Sequence, residues 1–237
     1  MQHDIFGNAI SDFYNTKKDI SIKVLSSDFD DDEIPVPYLF RKYTDMPVIE
    51  QMALDLSKGT ILDVGCGAGS HSLYLQNNKN LNVTAIDTSA GAISICREQG
   101  IEKAANIDFY KHTGKYDTIL MLMNGSGIVG TLNNFNVFFD HLKTLISKNG
   151  QILLDSTDLI YLFENENGEY WVDAAQGYYG EMQYQLSYNN KTSEVFNWLY
   201  VDYNTLQRAA AVNGFACELI HTGEHFDYLA KLTLEKN

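Results

Sequence analysis

The chain is poor in the residues that would tie it to a secreted, membrane-bound or nucleic-acid-bound setting. Of its 237 residues, three are cysteine and three are proline. An odd number of cysteines without framework or metal-ligand spacing excludes a disulfide-stapled domain and fits a reducing cytoplasm. No metal is expected. Basic residues are also few: 17 Lys and Arg stand against 31 Asp and Glu, for a net charge of -14. Such a surface repels a phosphate backbone. The adjacent pairs Lys17-Lys18 and Arg41-Lys42 form no basic patch, so nucleic acid is not an expected partner. No apolar run reaches the roughly 18 residues of a membrane span. The opening residues, Met1 to Phe6, lack a basic region followed by an apolar one, so no membrane partner and no secretory leader are expected.

The chain has enough apolar residues for a folded core, 45% in all, and its length fits one domain carrying an insertion. The informative stretch is residues 60–70. An apolar strand, Ile61 to Val64, runs into glycines at alternate positions, Gly65, Gly67 and Gly69, and then into a helical pattern from Ser70 to Gln76. Glycines there let the backbone turn sharply and approach a ligand closely, and the helix N-terminus offers free N–H groups to it. Further units follow in alternation. Strands are expected at Asn82 to Ile86, weakly at 103–109, at Asp117 to Met123 and at Gln151 to Leu154. Helices are expected at Ser89 to Gln99 and at Phe135 to Ser147, the latter closed by Gly150. Strand–helix alternation predicts a mostly parallel α/β sheet with helices on both faces.

The flanks break this order. Residues 1–45 read as an arm: a short helix from Ile5 to Tyr14, an extended piece from Ile20 to Leu25 and an acidic, solvated loop from Asp28 to Glu33. Pro35 and Pro37 then stiffen Tyr38 to Arg41 into an extended segment. Pro47 to Leu56 reads as a helix with Val48, Met52 and Leu56 on one face. Residues 159–202 look antiparallel, with strands Met182 to Tyr188 and Val195 to Tyr200 around an Asn189-Asn190 turn. This insertion holds both tryptophans. A helix from Tyr203 to Val212 and strands at Phe215 to Ile220 and Tyr228 to Leu234 close the chain.

These residues resemble a class I S-adenosylmethionine-dependent methyltransferase. The likeness rests on Asp63-Val64-Gly65-Cys66-Gly67-Ala68-Gly69, on Asp87 after the second strand, and on Asn106-Ile107-Asp108, Tyr116-Asp117-Thr118-Ile119 and Gly150-Gln151-Ile152-Leu153. It covers about residues 46 to 155. The Pro-Tyr-Leu-Phe-Arg arm and the Met-Asn-Gly-Ser-Gly turn resemble a bacterial subgroup. A dinucleotide dehydrogenase has its third glycine at the sixth loop position, where this chain has Ser70, so a nicotinamide-dependent oxidoreductase is the weaker alternative. A non-catalytic cofactor-binding or scaffold protein is the other.

The resemblance implies a seven-stranded Rossmann-like sheet with an antiparallel last strand, and S-adenosyl-L-methionine as cofactor. It divides one domain, residues 1–237, into an arm (1–45), a cofactor-binding core (46–158), a substrate-side insertion (159–202) and a last helix with its strand pair (203–237). It implies backbone contact from Gly65, Cys66, Gly67 and Gly69, with Asp63 orienting the loop or meeting the methionine ammonium. Asp87 would accept the ribose hydroxyls beside Thr88. Ile107 and Asp108 would take the adenine, and Met123 and Asn124 would flank the sulfonium. Arg41 is the cation in the arm able to meet a carboxylate. The acceptor is expected to be a small molecule. Tyr38, Tyr161, Trp171, Tyr178, Tyr179 and Trp198 are candidates to wall its pocket, although the same aromatics suit cross-strand packing or a homodimer contact. His71 and Asp155 are weak candidate bases, His71 reading more readily as a helix-packing residue and Asp155 as a structural cap or loop anchor. A metal held by Asp155 and Asp158 would lack a third carboxylate, since Met123-Asn124 supplies none.

Overall fold

A computed structural model describes residues 4–27, 29–172, 175 and 177–235. Its centre is a seven-stranded sheet. In chain order the strands are β3 (Thr60–Val64), β4 (Asn82–Asp87), β5 (Ala104–Asn106), β6 (Tyr116–Met121), β7 (Ile146–Thr157), β11 (Phe215–Thr222) and β12 (Asp227–Leu234). In space they run β11-β12-β7-β6-β3-β4-β5. The strands from β5 to β7 pair in parallel, and β12 is antiparallel to both neighbours. Successive side chains of a strand point to opposite faces, and this sorts the core. Leu62, Ile119, Met121, Ile152 and Leu154 pack with helices α5 (Phe135–Leu145) and α6 (Tyr203–Val212). Ile61, Leu120 and Leu153 face the other way, onto α2 (Val48–Leu56) and Leu75 of α3 (Ser70–Asn77). Helix α4 (Ala90–Glu98) packs Ile93 and Cys96 beside them.

A second sheet joins the arm to the insertion. Strand β1 (Ser21–Ser26) sits between β2 (Asp32–Pro35) and β8 (Glu181–Tyr188), and β8 also pairs with β9 (Lys191–Thr192) and β10 (Phe196–Leu199). The register sets Val24 against Leu186 and Trp198 against Met182. The Asn189-Asn190 turn is left-handed at both residues, with φ of 48 and 59°, the pattern of a two-residue hairpin loop. Helix α1 (Ile5–Thr16) packs between this sheet and α4.

Several expectations need correction. The acidic run is not all loop: Asp32 and Glu33 belong to edge strand β2, while Asp28 lies outside the described residues. Val36–Phe40 forms a 3-10 helix rather than an extended segment; proline fixes φ at a value that tight turns share. Helix α2 turns the other way from the Val48–Met52–Leu56 reading. Its buried face is Ile49, Glu50, Ala53 and Leu54, and Val48 is 58% exposed. Helix α5 ends at Leu145, and Gly150 lies inside β7, where a Cβ would come within 2.9 Å of the Tyr116 carbonyl. The weak third strand is only three residues long and stops before Ile107 and Asp108.

Candidate active site

The C-terminal ends of β3, β4, β6 and β7 lie along one edge of the sheet, the usual ligand edge of a parallel sheet. The glycine loop follows β3. Gly65 and Cys66 donate their N–H groups to the Ile86 carbonyl at 2.9 and 3.1 Å, tying the loop to β4. Gly65 has φ of +70°, and a Cβ there would meet nothing within 4 Å. The backbone therefore faces open space in a conformation that disfavours side chains. Gly69 is glycine for a different reason. With φ of +86° it turns the chain into α3, and a Cβ there would collide with Ile101.

Two carboxylates hold the loop. Asp63, buried at the end of β3, accepts from Ser72 Oγ at 2.6 Å and so fixes the first turn of α3. Asp87 ends β4 and accepts from the Gly67 N–H at 2.9 Å and the Ser89 N–H at 2.8 Å. Burial pushes both carboxyls up, although the two amide hydrogen bonds pull Asp87 back. Each Asp87 oxygen has a second lone pair for a ligand hydroxyl. Thr88 is exposed beside it. Asp108 is half-buried and caps a 3-10 turn through the Tyr110 N–H at 2.8 Å, with one oxygen left over.

At the end of β6, Met123 and Asn124 are both left-handed, with φ of 64 and 58°. Two consecutive non-glycine residues in that region carry backbone strain. Asp155 of β7 holds them: its carboxylate accepts from the Met123 and Gly125 N–H groups, each at 3.0 Å. Thr157 Oγ1 donates to Asn124 Oδ1 at 2.9 Å. Burial pushes the Asp155 carboxyl up to about 7, with Glu50 adding to the shift. Asp155 is thus an anchor for the turn whose protonation changes near neutral pH.

The sequence reasoning missed Glu50. It is 3% exposed and receives Arg41 Nη2 on one side and His71 Nε2 at 2.7 Å on the other. Burial would raise its carboxyl, but the hydrogen bond and charge of His71 and the charge of Arg41 prevail and hold it below the ordinary value. Arg41 also donates to the Tyr38 carbonyl at 2.7 Å, and its guanidinium lies 3.9 Å from the Tyr38 ring centre. Its buried Nε has no protein partner. The signal for Glu50 was available: with Ala53 and Leu54 it shares the inward face of α2.

The aromatic candidates divide. Tyr38 stays 40% exposed beside Asp155 and Arg41. Tyr161 stacks on Phe226 at 5.3 Å, and Tyr179 donates to Asp158 at 2.7 Å. Tyr178 braces Asp202, the N-cap residue of α6, donating to its Oδ2 at 2.7 Å and accepting its N–H at 2.8 Å. Trp198 lies flat on Gly127, where no side chain would fit. Trp171 is 71% exposed. Among the described residues, no group of three or more His, Cys, Asp or Glu could hold a metal ion, and no helix is long and apolar enough to cross a membrane.

Strand order, glycine loop and carboxylates at the strand ends together define a nucleoside-cofactor-binding fold of the transferase type. Comparison with known proteins is consistent. A methyltransferase-domain family matches residues 61–141. A Bacteroides fragilis S-adenosylmethionine-dependent methyltransferase, solved with S-adenosyl-L-homocysteine, is 45% identical, with 98% of this chain and 95% of that one covered and a TM-score of 0.92. The CcbJ methyltransferase of Streptomyces caelestis (12% identity, 98% of each chain, TM-score 0.60) shares the fold. So does CalS10 of Micromonospora echinaspora, an amino pentose methyltransferase (13% identity, 81% of this chain and 93% of that one, TM-score 0.54). No curated protein matches. The chain belongs to the S-adenosylmethionine-dependent methyltransferases, and its cofactor is S-adenosyl-L-methionine. The nicotinamide alternative is thereby set aside.

Proposed function

We propose that the chain methylates a small organic molecule bound between the arm, the β6 and β7 strand ends and the insertion. The observation that carries this reading is the approach of Tyr38 and Asp155 at the strained Met123-Asn124 turn, on the sheet edge that also bears the glycine loop. The residues fit the cofactor. Gly65 leaves open space, and the Arg41 Nε is a buried donor lacking an acceptor, which a methionine carboxylate would supply. In this reading Gly65, Cys66, Gly67 and Gly69 hold the cofactor by backbone approach, Asp63 fixes their helix and faces the ammonium, and Asp87 and Thr88 take the ribose. Ile107 and Asp108 meet the adenine, while Met123 and Asn124 border the sulfur. The cofactor supplies a methyl group already activated on a cationic sulfur.

The protein's own task is alignment and water exclusion. Asp155 fixes the β6 turn so that the acceptor-facing backbone does not shift. Glu50 holds Arg41 and His71 in place. Tyr38 closes the site from the arm, and Tyr161 and Tyr179 border it from the insertion. Asp155 is also the candidate to receive an acceptor proton, since its carboxyl titrates near 7. The test is incubation of the protein with methyl-labelled cofactor and a small-molecule extract, protein and RNA removed. Label on a low-mass product supports the reading. Label found only on added protein or RNA would refute it.

A further inference from the structure

We infer that helix α1 is a strap across the cofactor loop and that Asp4 is its latch, setting how fast the cofactor enters and leaves. The inference rests on the glycine loop being the cofactor site. Three contacts tie the first forty residues to that loop and to the helix beside it. The Phe6 ring lies over Gly67, so that a Cβ there would touch it at 3.6 Å. Ser70 Oγ, at the start of α3, donates to the Leu39 carbonyl. Ala68 of the loop packs with Ile5, Ala9 and Ile10 in one buried cluster.

Asp4 joins two helix starts. Its Oδ1 accepts from the Gly7 N–H at 2.8 Å and caps α1. Its Oδ2 accepts from the Gly91 N–H at 2.8 Å and from Ser89 Oγ at 3.0 Å, at the start of α4. One carboxylate thus serves the N-termini of both helices, where its charge meets the positive ends of two dipoles. The helices cross closely there because Gly7 faces Gly91; a Cβ on Gly91 would lie 2.8 Å from the Gly7 backbone. The latch also stands within electrostatic reach of Asp87. Beyond Thr16 the chain leads through residues 17–20 into β1 of the second sheet, and Asp4 fastens the other end of α1 to α4. Hydrogen bonds of a charged group each contribute roughly enough to change an opening equilibrium by tenfold. Loss of the latch therefore raises the open population without removing any residue assigned to the cofactor.

The test is the rate of release of radiolabelled S-adenosylhomocysteine after a chase with unlabelled compound, and its rate of association, for the unaltered protein and for Asp4→Ala, Asp4→Asn and Phe6→Ala. Asp4→Ala, which loses two such bonds to α4, is expected to release on the order of a hundredfold faster and also to bind faster, because a gate acts on both directions. Asp4→Asn keeps one acceptor oxygen and falls between. Phe6→Ala accelerates release without touching the latch. A helix serving only stability would lower the melting temperature and leave both rates unchanged; that outcome overturns the inference. Should Asp4→Ala not fold, an unchanged release rate in Phe6→Ala overturns it alone. Failure of the unaltered protein to bind S-adenosylhomocysteine would instead remove the cofactor-site reading on which the strap rests.

Discussion

The seven-stranded sheet and the smaller antiparallel sheet draw their neighbours from different distances along the chain. In the parallel part of the larger sheet β3–β4, β4–β5 and β6–β7 are pairs close in sequence, while β3–β6 reaches over β4 and β5. The second sheet instead sets β1, near one end, against β8, which follows the entire cofactor-binding core. The first arrangement places glycines and carboxylates at one sheet edge through local rules. The second brings together strands more than 150 residues apart, a non-local pairing of the kind that slows folding. On the proposed reading, the glycine loop and its carboxylates come from local units, and the acceptor side comes from the meeting of two distant segments.

The comparison can be broken or sharpened by substitution. The largest effect is expected from Gly67→Val, which forces a β-branched residue to φ of +54° and against the Phe6 ring. Affinity for S-adenosylhomocysteine should fall by on the order of a hundredfold with the second sheet undisturbed, read by titration calorimetry and by the fluorescence of Trp171 and Trp198 together. Glu50→Gln comes next. It leaves Arg41 and His71 buried without their shared anion, and denaturant unfolding should show a loss of about 3 kcal/mol.

Asp155 supplies a pH test. Its folded-state value is raised, to about 7, above the roughly 3.9 of an unfolded Asp. The native state therefore binds the proton more tightly than the unfolded one. Its contribution is fully present below the unfolded value and is lost as pH rises through 7. Asp155→Asn cannot titrate. Unfolding of both proteins at acidic and neutral pH should show the variant gaining relative to its parent as pH rises; a pH-independent difference would contradict the shift. The smallest effect is expected on the insertion side. Tyr178→Phe removes the hydroxyl that bridges to Asp202. It should cost roughly 1 kcal/mol while cofactor affinity stays unchanged.

What could be read from sequence follows the same division. Asp63, Gly65, Gly67, Gly69 and Asp87 stood in a fixed spacing that a local turn enforces, and the structure assembles them at one edge. Asp155 was legible as a strand-end acid, but its hold on Met123 and Gly125 was not, since nothing in the sequence announces a turn left-handed at two ordinary residues. Glu50 was hidden by the choice of helix face: Val48, Met52 and Leu56 look apolar at helical spacing, yet α2 turns Glu50 inward with Ile49, Ala53 and Leu54, where it meets Arg41 and His71. Tyr178 and Trp198 looked like pocket residues by type. Their partners, Asp202 and Gly127, are remote in sequence, and only the fold shows that these rings brace the insertion.

The pairing of β1 with β8 has a consequence for engineering. Val24 faces Leu186 and Lys23 faces Ser187 across a ladder shared by two segments far apart in the gene. A chimera that imported only the insertion from a relative, to retarget the enzyme, would leave its new middle strand against a foreign neighbour. The portable unit is the arm and the insertion together, and drift in one is expected to be answered by drift in the other.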